Sequence, residues 1–202
     1  MRARVAVVLS ALALMPVASM GQPGTPTISV SGHFALATGR PFSSVETVTL
    51  RTVEVSAAFR VVTERRWTLD VPVALVPVAL VLRNPVDSVW TRDGRWWVFS
   101  PKRATSHGVG VRPIGVRFTR SLGVAALHVG LGVGVLRFDR ATPGANSRRL
   151  NMLGDLDIGL RLPIRGRFAG VLGYRFSHIS NANTGAVNPG IDSHMRSIGI
   201  QR

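Results

Sequence analysis

The residues with the clearest capacity for chemistry lie near the C-terminus, in Tyr174-Arg175-Phe176-Ser177-His178-Ile179-Ser180-Asn181-Ala182-Asn183 and, a few residues on, Asn188-Pro189-Gly190-Ile191-Asp192. His178 and Ser180 are two apart, so on a strand they stand side by side on one face. An imidazole so placed can take the proton of the hydroxyl, the pairing that a serine nucleophile requires. Asn181 follows at once and could donate a hydrogen bond to an oxyanion. The Asn-, Gly- and Pro-rich stretch after it reads as a turn. That turn returns the chain to Asp192, at the start of a last strand antiparallel to the one carrying His178. A carboxylate there could fix the imidazole tautomer and stabilise the imidazolium. A His-x-Ser pair alone also occurs wherever a strand meets a surface loop. The added amide and acid complete the set of roles that acyl transfer needs.

Other polar residues carry less. His33, His107, His128 and His194 show no metal-ligand spacing, so no metal or cofactor is implied, and interior or loop positions account for them. His194 is two residues after Asp192; a solvated strand-end histidine is expected ahead of a second partner for the acid. Asp155 and Asp157, with Arg161 nearby in sequence, suggest an interior ion pair rather than the paired acids of a glycosidase. The glycines fall on strand parity and form no phosphate-cradling loop.

The elements that must position these residues are strands. Trp67, Leu69, Val71, Val73 and Leu75 alternate with other residues, among them Thr68 and Asp70. Leu127, Val129, Leu131, Val133 and Val135 alternate with His128, Gly130, Gly132 and Gly134. Leu156, Ile158, Leu160 and Leu162 alternate with Asp155, Asp157, Gly159 and Arg161, and Leu172, Tyr174 and Phe176 with Gly173, Arg175 and Ser177. A period of two is the mark of a strand. One face is aliphatic or aromatic throughout, and the other mixes charge, hydroxyl and glycine. A soluble sandwich would bury the apolar face. A small membrane barrel turns it to lipid and fills its narrow interior with small and polar side chains. The Gly130, Gly132, Gly134 row suits that crowded interior. The parity then places Leu172, Tyr174, Phe176, His178 and Ser180 outward, which puts the polar pair at the rim of the lipid face. Such a placement makes sense for a lipid substrate.

Eight strands are expected near residues 27–38, 45–61, 66–82, 108–119, 123–138, 150–162, 165–180 and 193–202. Short connections at 63–65, 120–122 and 163–164 alternate with long ones, as in outer-membrane barrels. The longest loop holds Trp90, Trp96, Trp97 and Phe99, and Trp67 sits near a strand end; such side chains favour the headgroup level. The chain ends on Ile200-Gln201-Arg202, without a terminal aromatic residue. The fold class is thus all-β, an eight-stranded antiparallel transmembrane β-barrel of outer-membrane type.

Composition agrees. In 202 residues there is room for one domain, and there is no cysteine. Hydrophobic residues make up 46% and charged residues 17%, yet the most apolar region, 71–82, contains Pro72 and Pro77. Arg2 and Arg4 precede an apolar run over 5–14, then Pro16 and the small residues Ala18, Ser19 and Gly21, the order of a secretory signal peptide. Residues 1–21 are read as that signal and 22–202 as the barrel domain. The net charge is +15, and Lys102 is the only lysine among 25 basic residues. Arginine forks phosphate in a bidentate way, so nucleic acid and phosphorylated lipid both fit the charge. Export removes nucleic acid and leaves the lipid.

The run His178-Ile179-Ser180-Asn181-Ala182 with Asn188-Pro189-Gly190 resembles the lipid A 3-O-deacylase family, the PagL-like acyloxyacyl hydrolases. Gly108-Val109-Gly110-Val111-Arg112-Pro113-Ile114-Gly115 and Val135-Leu136-Arg137-Phe138-Asp139-Arg140 extend the resemblance over most of the chain. It implies an outer-membrane esterase that removes the acyl chain at the 3-position of lipid A, with lipopolysaccharide as substrate and no cofactor. Ser180 would be the nucleophile, His178 the base, Asn181 part of the oxyanion hole and Asp192 the acid. The family pattern has Glu at the acid position, so the shorter Asp192 needs a closer backbone or engages weakly. The other readings are a non-enzymatic small outer-membrane barrel, structural or adhesin-like, and a soluble exported lipid-binding β-protein.

Overall fold

The computed structural model describes residues 25–38, 48–83, 89–92, 95–98, 104–144, 147–186, 188 and 190–202. The signal-peptide reading of residues 1–21, like Phe99, lies outside them, and so do the side chains of Trp90, Trp96 and Trp97.

Ten strands follow in order: β1 (Thr27–Thr38), β2 (Val48–Thr63), β3 (Trp67–Arg83), β4 (Val89–Arg92), β5 (Arg95–Val98), β6 (Ala104–Leu122), β7 (Ala125–Thr142), β8 (Arg148–Arg165), β9 (Phe168–Ser180) and β10 (Ile191–Gln201). Eight of them close a barrel in the order β1-β10-β9-β8-β7-β6-β3-β2, every pairing antiparallel. Closure joins β1 to β10 and removes the sheet edges. Strands β4 and β5 form a separate hairpin within the long connection that was expected to be a plain loop.

The three tight turns, after β2, β6 and β8, lie at one end together with the start of β1 and the end of β10. Two of them need glycine: Gly123 has φ 82° and Gly166 φ 58°, left-handed values that a Cβ disfavours. The longer connections lie at the other end. Short turns on the periplasmic side and long loops outside are the rule in such barrels, so the β9–β10 connection is at the outer end.

The two faces divide as the alternation requires. On β9 Leu172 and Tyr174 are exposed, Phe176, His178 and Ser180 half-buried, and Arg175, Ser177 and Ile179 buried. On β7 Val129, Leu131 and Val133 are exposed while Gly130, Gly132 and Gly134 face inward. Those glycines are needed: a Cβ at Gly130 would come within 2.8 Å of Asp157, and one at Gly132 within 2.6 Å of Arg112. The outer surface carries a belt of exposed Val, Leu, Ile and Phe from every barrel strand. In water so large an apolar surface would aggregate; in a bilayer it is the lipid face. Trp67 stacks on Phe118 at 5.5 Å near the short-turn end, at the headgroup level of that face.

The interior has two layers. Toward the outer end Leu50, Val81, Leu136, Phe138, Ile179, Ile191 and Met195 form a dry plug. Beneath it lies a charged network. Glu54 accepts from Arg112 at 2.5 Å and from Arg175 at 2.9 Å, Arg112 also pairs with Asp155 at 3.4 Å, and His128 faces Asp157 at 3.3 Å. Asp155 accepts a very short hydrogen bond from Ser177. The inward placement of Asp155 and Asp157 matches expectation, but the cations that meet Asp155 are Arg112 on β6 and Arg175 on the adjacent β9, and not Arg161 on its own strand. His33 is interior too, bonded to Ser31 and to Ser197 at 2.7 Å. A cavity of about 40 Å³ lies among these groups. Removing the shared acceptor should matter: Glu54→Ala leaves two buried guanidiniums with Asp155 as their one shared carboxylate among the ion pairs described, an expected loss of about 3–5 kcal/mol. It would show as a lower temperature for the heat-modifiable shift in gel migration, with Glu54→Gln falling between parent and alanine.

Candidate active site

Strand β9 ends at Ser180 and β10 begins at Ile191, and the site is built at this outer-end hairpin. Behind it, on the inner side, Ile179, Ile191 and Met195 are fully buried in the plug. The backbone under the outward residues is thus held by apolar packing that fills the barrel from within.

His178 and Asp192 are direct partners across the β9–β10 ladder, on the outer side. The imidazole Nδ1 lies 2.6 Å from Oδ1 of Asp192. The acid is fully buried, whereas the imidazole is 30% exposed. A carboxylate accepts, so Nδ1 carries the proton and Nε2 of the neutral ring is left as the acceptor. The shorter acid is therefore well engaged: direct cross-strand register brings the backbones close enough for aspartate to reach.

Ser180 stands on the same outward face as His178, one step nearer the outer end, and its backbone pairs with Met152 on β8. Two residues along a strand span about 6.6 Å, a separation that an imidazole and a seryl side chain can bridge by rotamer choice. Asn181 is buried at the strand end. Its backbone N–H donates to Oδ1 of Asn188 at 2.9 Å and its Nδ2 to Oγ of Ser147 at 3.3 Å. Its carbonyl accepts from the backbone N–H of Thr184 at 3.0 Å and from the Thr184 hydroxyl at 2.7 Å. The loop then passes through Ala182 (φ 51°) and Asn183 (φ 59°), two left-handed residues in succession, an arrangement that persists only where surrounding bonds enforce it. Asn188 supplies two of those bonds, since it also donates to Oδ1 of Asn183 at 3.2 Å. Ser147 and Asn188 thus support the site, and the sequence pattern gave no signal for Ser147, which comes from the β7–β8 connection.

Beside Asn181 an open cleft of about 640 Å³ is lined by Leu150, Met152, Arg148 and Arg149 of β8. Arg148 is anchored by its Nε to the carbonyl of Thr184 at 2.9 Å. His194 is one outward step from Asp192, its Nδ1 2.5 Å from the Tyr174 hydroxyl and its ring 5.3 Å from that of Phe176. It is part of an aromatic cluster on the outer face and not a solvated end. At this end His178, Ser180 and Asp192 lie on the outward side of the β9–β10 hairpin, with Asn181 buried next to Ser180 in the chain.

Comparison with known proteins gives the same direction. The family model of lipid A 3-O-deacylase (PagL) matches residues 80–201. The crystal structure of the outer membrane enzyme PagL is similar at a TM-score of 0.59 and 17% identity, covering 85% of this chain and 97% of that one. The crystal structure of Neisserial surface protein A is similar at 0.54 and 11%, covering 90% and 98%. At these identities the structural likeness speaks for the barrel fold alone. No curated protein matches the sequence.

Proposed function

The chain belongs to the lipid A 3-O-deacylase (PagL) family, and from that premise we propose that it is an outer-membrane esterase that releases the 3-O-linked acyl chain of lipid A through Ser180, His178 and Asp192. The observation that supports this most is the His178–Asp192 hydrogen bond at 2.6 Å beside an outward Ser180. A base–acid pair on the lipid-facing rim has little structural purpose, because the strand ladder and the apolar plug already hold this hairpin.

In the proposed sequence Asp192 holds the Nδ1 proton, and Nε2 of His178 takes the proton of Ser180 as its Oγ attacks the ester carbonyl. The negative charge that builds on the carbonyl oxygen needs a donor. Asn181 is assigned that role; one of its donors must turn from Ser147 or Asn188 toward the substrate. The imidazolium then protonates the departing sugar hydroxyl, leaving the acyl group on Ser180. Water, deprotonated by the same imidazole, releases it as a fatty acid. The sugar phosphates lie over the exposed Arg149 of the rim cleft, where a guanidinium can fork a phosphate.

Mass spectrometry of lipid A incubated with the purified protein tests the reading: loss of one 3-O-acyl chain is expected. An unchanged mass would favour a non-enzymatic small outer-membrane barrel. Asn181→Ala separates a donor to the oxyanion from a loop staple. The donor role predicts a fall in kcat of about 10²–10³ with KM little changed, while a staple alone would lower the melting temperature and raise KM.

A further inference from the structure

Strand glycines in this barrel mostly have a visible reason. Besides Gly130 and Gly132, a Cβ at Gly159 would come within 2.6 Å of His128 and one at Gly173 within 2.6 Å of the Ile158 carbonyl oxygen. Gly154 on β8 has none. A Cβ there would meet nothing within 4 Å, and its backbone is not left-handed. A glycine inside a strand weakens it and leaves the face one side chain short.

The location of that gap is specific. Gly154 faces outward between Met152 and Leu156 on its own strand, both exposed to lipid. Across the ladders its direct partners are Val133 on β7, also exposed, and His178 on β9. The empty position therefore has three apolar walls and a fourth formed by the imidazole of the base. It lies immediately below Ser180, which pairs with Met152, on the side toward the bilayer interior. The opposite flank of His178 is closed by the buried Asp192. An ester carbonyl held at Ser180 thus has an apolar path past Gly154 along which its chain can descend.

We propose that Gly154 is the specificity-determining residue for the hydrolysis at Ser180, opening a furrow that seats the acyl chain being cleaved beyond its first few methylenes. The inference rests on the esterase reading and extends it by assigning where the acyl chain lies. Filling the furrow shortens the chain that can be accepted while His178 and Ser180 themselves are left unaltered.

The test uses the full chain in detergent micelles, with Gly154→Ala and Gly154→Leu against p-nitrophenyl tetradecanoate and butyrate. A pocket wrong by a methylene is typically worth about 10–200-fold in kcat/KM, so Gly154→Leu should lower the long-chain value at least about tenfold, with alanine intermediate and butyrate hydrolysis within about threefold of the parent. Unchanged long-chain hydrolysis, or an equal loss for both esters, would overturn the proposal. A second measurement does not depend on turnover. In the Ser180→Ala protein, a tetradecanoyl ester with a diazirine about five carbons from its carbonyl should label the segment from Met152 to Leu156, and Gly154→Leu should remove that label. Labelling confined to the far face, at Val55 and Leu75, would overturn the furrow. If the parent cleaves no ester yet the label maps to β8, the esterase reading fails while the acyl seat stands.

Discussion

Ser180→Ala is expected to abolish ester hydrolysis while the barrel folds and migrates as the parent does. In serine hydrolases, loss of the nucleophile alone lowers kcat by about 10⁶, which here means no deacylated lipid A by mass spectrometry at any practical incubation time. The structural effect should be slight. Ser180 is outward and half-buried, at the last residue of β9, and its backbone pairing with Met152 does not involve the hydroxyl. Substitutions of this kind usually stay within about 0.5 kcal/mol. The fold is held instead by the closed ladder, the apolar plug behind Ile179 and Ile191, and the network around Glu54. Inactivity with unchanged heat-modifiable migration is therefore the expected pair of results. Hydrolysis at the parent rate would remove Ser180 from the mechanism.

Much of this was legible in the sequence because a membrane barrel imposes one simple rule, lipid outside and small or polar inside, on every strand. The alternation of Leu172, Tyr174 and Phe176 against Gly173, Arg175 and Ser177 set the outward parity of His178 and Ser180, and the structure keeps it. The rule fails where a strand slips. Pro77 and Pro113 lie in bulges of β3 and β6, and beyond each the inward parity changes from even to odd, so that Ala79, Val81, Gly115 and Arg117 face inward. A proline cannot donate to the ladder and sits naturally in such bulges. Arg112 falls just before one of them, so its inward course and its pairing with Glu54 depended on a register that alternation does not define. The same limit explains Asp155, whose cations are distant in sequence. Strands β6 and β8 also run past their expected ends, at 104–122 against 108–119 and 148–165 against 150–162, because outside the lipid belt nothing compels alternation. At the site, the acid's place opposite His178 depends on the left-handed turn at Ala182 and Asn183. The place of Gly154 beside the base depends on the β8–β9 register, and neither could be read along one strand.

The acid gives the sharpest remaining test, because its geometry reverses a simple expectation. Read against a family pattern with Glu, Asp192→Glu would be a restoration. In the structure Asp192 already reaches Nδ1 of His178 at 2.6 Å and has no exposed surface. With the carboxylate already in contact with the ring and covered on all sides, an added methylene must push it past the ring or displace the neighbours that cover it, and overpacking is itself destabilising. Asp192→Glu should therefore lower turnover and not raise it. Asp192→Asn should lower it further: an amide of nearly the same shape can donate to the ring, hold the wrong tautomer, and cannot stabilise the imidazolium, and the comparable change in a serine protease drops kcat by about 10⁴. Because asparagine leaves packing almost unchanged, the melting behaviour of that variant should stay near the parent while activity collapses, whereas glutamate should shift both. Activity of Asp192→Asn within a few-fold of the parent would mean that His178 is oriented by another group and that the proposed site is a dyad of His178 and Ser180. Activity of Asp192→Glu above the parent would mean that the cover over Asp192 yields, so that the longer acid serves better than the shorter one now held in direct register.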